Sequence, residues 1–113
     1  MASVGEPMVR RPLCPVRRVG VQLQLSGEID DSNAAELSAR VVAEIGAGVT
    51  DVDLSRVRFF SAAGAGLLVV AARAATVRQR MVRVAASPAV MRVVEVCGLD
   101  ALDGLWLTAT GPA

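Results

Sequence analysis

The sequence predicts an α/β fold, a small sheet with parallel pairs and helices packed on it. Apolar residues switch repeatedly between the two-residue spacing of a strand and the three-to-four-residue spacing of a helix. At Val52–Leu68 a strand-like apolar run reaches Ser61-Ala62-Ala63-Gly64-Ala65-Gly66 and passes straight into an apolar stretch of helical length. That is the signature of a strand–loop–helix junction. The chain has 113 residues and is 53% hydrophobic, yet its aromatics are two Phe and one Trp. One domain is expected, with a core built from Val, Leu, Ala and Ile.

Taken in order, residues 1–7 read as disordered, and Pro12 and Pro15 make the next stretch an edge strand or an extended arm. Val19–Ser26 alternates apolar and polar and predicts a strand with one buried face. Gly27–Ser32 reads as a turn rich in capping residues. From Asn33 a helix is expected, with Ala34, Leu37, Val41, Val42 and Ile45 on one face, Asp31 or Ser32 as N-cap, and Gly46 or Gly48 at its end. Val49–Leu54 is expected as a central strand. The helix after Ser61 is apolar nearly all round to Ala72, so it should sit deep against the sheet before turning basic at Arg73, Arg78 and Arg80. Met81–Ala86 is the next strand. Ser87-Pro88 opens a helix, with Ser as N-cap and Pro at its first position. Met91, Val93, Val94 and Val96 should form its apolar face, with Gly98 after its last turn. Leu99–Leu107 returns as a short helix or a closing strand carrying Trp106.

Much chemistry is excluded. There is no histidine, and all twelve cations are arginines. A Ser-His-Asp triad or a Cys-His pair cannot be built, and a phosphate-binding P-loop lacks its lysine. Gly64-Ala65-Gly66 lacks the third glycine and the acidic partner of a dinucleotide fingerprint. The expectation is a non-enzyme with no cofactor and no metal. Cys14 and Cys97 fit no zinc or redox spacing and read as free thiols of a reducing compartment, with Cys97 buried near a helix end. A regulatory disulfide between them is the alternative. The net charge of +1 demands neither nucleic acid nor an acidic partner. Arg10, Arg11, Arg17 and Arg18 against Glu6 make a short basic arm, read as a solvated tail. The N-terminus lacks the apolar region of a secretory signal, and the run Ala62–Ala72 is too short to span a bilayer. A cytoplasmic protein without membrane contact follows.

Two segments could carry function. Ser61 places a hydroxyl beside the free N–H groups of a helix start, a place for a switch or a bound anion, although a serine there is commonly a plain cap. Glu28, Asp30, Asp31 and Ser32 cluster in the first turn, either as turn and cap or as a contact surface.

Three segments resemble the STAS family, and within it the bacterial anti-sigma factor antagonists. Leu25-Ser26-Gly27-Glu28-Ile29-Asp30 is like the family's Leu-Ser/Thr-Gly-Glu-hydrophobic-Asp turn before its first helix. Asp53-Leu54-Ser55 to Gly66 is like its Asp-Leu-Ser…Phe-hydrophobic-Asp-Ser-Ser-Gly-Leu-Gly segment. Ser87–Asp100 is like the segment its members carry through the last main helix. The match runs from about residue 19 to 107. It implies a STAS fold, a mixed four- to five-stranded sheet with helices mainly on one face, over residues 19–110, after a flexible or extended basic arm, residues 1–18. It also implies a protein, monomeric or weakly dimeric, that binds an anti-sigma factor of kinase-like ATPase fold and so frees a sigma factor. Family members are switched off when the kinase phosphorylates a serine in the loop.

The loop departs from that pattern. Aligned on Phe59 and Gly64, the family's Asp falls on Ser61, its phosphoacceptor serine on Ala62 and the next serine on Ala63. Three readings stay open: Ser61 is a shifted acceptor, the antagonist is not switched this way, or the surface serves a different partner. The resemblance places partner binding on Glu28, Asp30, Asp31 and Ser32 together with Ser61, Ala62, Ala63, Gly64, Ala65 and Gly66. Rival expectations are a STAS module that senses a small molecule or nucleotide, and a scaffold subunit of a stress-signalling complex.

Overall fold

Alternation with period two becomes a five-stranded sheet in a computed structural model that describes residues 13–111. The strands are β1 (Val16–Val19), β2 (Gln22–Ile29), β3 (Asp51–Phe60), β4 (Val82–Ala86) and β5 (Leu105–Ala109). The helices are α1 (Ala34–Gly46), α2 (Gly64–Val77) and α3 (Pro88–Cys97). The sheet order is β1-β2-β3-β4-β5, antiparallel between β1 and β2 and parallel thereafter. The expectations for residues 1–7 and for Arg10, Arg11 and Pro12 lie outside the described residues.

Parallel strands that advance one place at a time through right-handed crossovers put their helices on the same face. Burial agrees. Leu23, Leu25 and Ile29 of β2, Val52 and Leu54 of β3, and Val82, Val84 and Ala86 of β4 are buried in one core with Leu37, Val41 and Ile45 of α1, Leu67 and Leu68 of α2, and Val90 and Val94 of α3. The residues between them, among them Gln22, Gln24, Asp51, Asp53 and Arg83, line the polar open face.

Several element boundaries differ from the sequence expectation, each for a physical reason. Val19 ends β1 rather than opening β2, because Gly20 at φ +60 makes a two-residue hairpin with Val21. Gly27–Ile29 belong to β2, not to the turn. Gly27, at φ +96, lies against the Leu13 carbonyl, which accepts the Glu28 amide at 2.9 Å, so the arm extends the pairing. Strand β3 runs six residues beyond Leu54. Its partners in β2 step from Gln24↔Asp53 to Ser26↔Arg56, then from Gly27↔Val57 to Glu28↔Phe59. These two irregularities each add a residue to β3, so burial falls on Leu54, Val57 and Phe60 and the alternation disappears.

Helix α2 packs chiefly on α1 and touches β4 and β5, while Val70 and Val77 are exposed. Its buried Ala71, Ala72, Ala74 and Ala75 permit close packing without an all-round core position. Ser87 caps α3 as expected: its hydroxyl accepts the Val90 amide at 3.3 Å. Val96 and Cys97, expected inside, are both exposed: α3 buries Val90 and Val94 and packs Ala89, Met91 and Val93 against the core, and its last turn extends past it. The Leu99–Leu107 region closes as a strand, β5, with Trp106 outward. Arg18 reaches from β1 to Glu44 at 2.8 Å and to the Ala47 carbonyl at 3.2 Å, tying the hairpin to the end of α1. Among the described residues no helix is long and apolar enough to cross a membrane.

Candidate functional site: a ledge at the ends of β2 and β3

Parallel pairing brings the two sequence-predicted segments together. Glu28 lies opposite Phe59 and Ile29 opposite Phe60, and the Ser61 amide donates to the Ile29 carbonyl at 3.0 Å. The turn after β2 and the loop after β3 therefore form one ledge at the carboxyl ends of two neighbouring strands.

The first half of the ledge is held by side chains. Asp30 Oδ1 accepts from the Ser32 amide at 2.8 Å and from the Ser32 hydroxyl. The Ser32 hydroxyl, then its amide, hold the Asp30 carboxyl below the usual carboxylate range. Neither Asp31 nor Ser32 caps α1. Asn33 occupies the N-cap position, and its side chain points back: Oδ1 accepts the Asp30 amide at 2.9 Å, and Nδ2 donates to the Glu28 carbonyl at 2.9 Å. The reason is local competition, since a short amide can bond the turn behind it instead of the helix ahead. Glu28 and Asp30 are half-buried, and Asp31 and Ser32 are exposed.

The second half is nearly bare of side chains. Ala62 and Gly66 are exposed, Ser61, Ala63 and Ala65 are half-buried, and Gly64 is buried. A Cβ on Gly64 would stand 2.6 Å from the Phe60 ring, so only glycine lets the helix start this close to the strand end. A Cβ on Gly66 would meet nothing within 4 Å. Ser61 does act as a local cap, its hydroxyl accepting the Ala63 amide at 3.2 Å. The amides of Gly64, Ala65 and Gly66 bond the carbonyls of Ser61, Ala62 and Ala63 at 2.9, 3.0 and 3.3 Å. The donors that made this helix start a candidate anion site are thus consumed inside the loop.

Sequence reasoning passed over Phe59, which is 52% exposed beside the ledge while Phe60 is buried. Both flank the loop, but an unbroken strand would have put them on opposite faces with no means of saying which. The signal available was their count, two Phe in the whole chain and both here. The described cavities, about 190 to 320 Å³, open on the polar sheet face and beside Cys14, and none is lined by the ledge. Among the described residues no cluster of side chains could hold a metal ion. Cys14 and Cys97 are both free thiols, one buried just before β1 and one exposed at the end of α3, and burial pushes the Cys14 thiol up.

Residues 16–107 match the family described as Mlab, STAS domain. No curated protein matches the chain. Among solved structures, the anti-sigma factor antagonist SpoIIAA in its unphosphorylated form superposes with a TM-score of 0.62 at 20% identity, over 87% of this chain and 88% of the other. An anti-sigma factor antagonist from Mycobacterium paratuberculosis is 27% identical over 82% of this chain and 83% of its own, with a TM-score of 0.58. A candidate anti-sigma factor antagonist from Thermotoga maritima, TM1081, gives a TM-score of 0.64 at 18% identity over 87% and 86%.

Proposed function

The chain belongs to the STAS-domain family, and from that premise we propose that it is a cytoplasmic anti-sigma factor antagonist without enzymatic activity. In this reading it binds an anti-sigma factor of kinase-like ATPase fold, and the displaced sigma factor becomes free for transcription. The observation that carries the proposal is the joined ledge, where the Ser61 amide bonds the Ile29 carbonyl and unites an acidic turn with a small-residue loop. Exposed Ala62 and Gly66 let a partner's backbone come close, Asp31 and Asp30 offer charge, and Phe59 supplies an aromatic anchor at the margin. A flat, nearly pocketless surface of this kind suits a protein better than a small molecule.

The ledge would bind the kinase without being phosphorylated by it. A methyl stands at Ala62, where the family resemblance expects the acceptor hydroxyl, and alanine cannot take a phosphoryl group. The remaining hydroxyl, Ser61, is half-buried and engaged with the Ala63 amide. Binding would then be set by the amounts of the two proteins rather than by a phosphorylation cycle.

Pull-down against the kinase-like anti-sigma factors of the source genome tests the first part. One of them should be retained by the wild type, and Ala65→Arg or Asp30→Lys should release it. If both variants leave every such interaction intact, the surface is wrongly assigned. Incubation with the retained kinase and ATP, followed by intact-mass measurement, tests the second. The wild type should stay unmodified while a serine-bearing antagonist is phosphorylated in the same tube. A phosphate on the wild type that vanishes in Ser61→Ala would make Ser61 the acceptor and leave the binding role standing.

A further inference from the structure

The two edges of the sheet are unlike. β1 reads Val16-Arg17-Arg18-Val19, with both arginines exposed. β5 reads Leu105-Trp106-Leu107-Thr108-Ala109, without a charge or a proline, and among the described residues it pairs with β4 alone. Charged residues on an edge discourage further pairing, and an uncharged edge presents an open row of N–H and C=O groups to another strand. On that row Trp106 is 61% exposed, on the polar sheet face beside Arg83, its partner in β4.

We propose that β5 is the surface through which two copies of this chain associate, antiparallel β5 to β5 about a two-fold axis at Leu107. The pairing follows from the strand's own chemistry. With the axis at Leu107, Trp106 lies opposite Thr108 of the second copy and Leu105 opposite Ala109, so no charge meets its like. The two Trp106 side chains become diagonal neighbours on the same face, a separation that aromatic side chains bridge. Half-buried Leu107 meets its own copy on the helix face, extending the apolar layer. The same operation at β1, centred on Arg17 or on Arg18, would set that arginine against its own copy, a like-charge pairing that destabilises a sheet. A two-fold contact also closes on itself, whereas β5 against β1 would leave a free edge at each end and grow without limit. The association doubles the sheet and involves neither half of the ledge.

Trp106 is the sole tryptophan of the chain, so its emission reports on this edge directly. Sedimentation equilibrium of the full chain should give a mass rising with concentration from 11.7 kDa to twice that value. Trp106 emission should shift to the blue over the same range, and its quenching by acrylamide should fall. Trp106→Arg should weaken association at least tenfold while the far-ultraviolet circular dichroism stays unchanged, because the side chain is already exposed. Thr108→Arg, which keeps the reporter, should also be monomeric, with red-shifted and readily quenched emission. A chain that stays monomeric with constant emission at every concentration overturns the proposal. So does a dimer that survives both substitutions, and so do species larger than a dimer, which would assign the edge to β5-to-β1 growth.

Discussion

In the turn after β2, three hydrogen bonds between the backbone and the side chains of Asp30 and Asn33, with a fourth from the Ser32 hydroxyl to the Asp30 carboxylate, hold the chain. In the loop after β3, one serine hydroxyl, three short-range amide bonds and a phenyl ring against a glycine do the same work. The two segments lie side by side and end neighbouring strands, yet one stores its shape in polar groups and the other in backbone and packing. The difference bears on what a partner can meet. The polar turn offers fixed charge, and the small-residue loop offers approach. It also bears on mutation: the first should fail gradually and the second abruptly.

The sharpest way to break that contrast is Phe60→Ala. Phe60 is 5% exposed and packs on Gly64, so its loss should cost about 3–5 kcal/mol in urea melts. A cost under about 1 kcal/mol would mean the loop does not depend on packing. Next, Gly64→Ala should destabilise by about 1–3 kcal/mol through overpacking against the same ring. Gly66→Ala, two residues on, should be neutral or stabilising by up to about 1 kcal/mol, since the site is open and helical alanine is favoured over glycine. Equal losses at the two glycines would remove the packing argument.

In the polar turn, Asn33→Ala should cost about 1–3 kcal/mol, for two part-buried hydrogen bonds at about 0.5–1.5 kcal/mol each. Smallest is the effect of acid. The Asp30 carboxyl is held below its ordinary value by Ser32, so its contribution is present above the unfolded value of about 3.9 and is lost as pH falls through the lower folded value. Thermal melts between neutral pH and strong acid should show a shallower decline for Asp30→Asn than for the wild type. Identical slopes would show that the turn is not held by this carboxylate.

Legibility in the sequence followed the range of the forces involved. The β2 alternation, the Ser87-Pro88 start of α3 and the apolar stripe Leu37, Val41 and Ile45 of α1 were readable because each rests on neighbours within a few residues. The end of β3 was not. Its two bulges exist only in relation to β2, and they erase the alternation that would have announced the strand. For α1, Asp31 or Ser32 is the cap expected from the sequence, but Asn33 takes that position, and the carbonyl of Glu28 and the amide of Asp30 draw its side chain away from the helix. The apolar face expected for α3 includes Val96 and Cys97, which are exposed, and omits Val90, which is buried; which side of a helix is covered is decided by what lies beside it.

The sequence by itself determined the α/β alternation and the methyl group at Ala62, and three of its segments carried the family resemblance, because short-range periodicity and local motifs are properties of the chain alone. Only the tertiary structure decided that the two segments share one ledge, that the amides of the α2 start are already spent, that Phe59 faces outward and that the uncharged edge is β5. Each of these depends on register between strands distant in sequence, and register is set by which side chains fit together in the core.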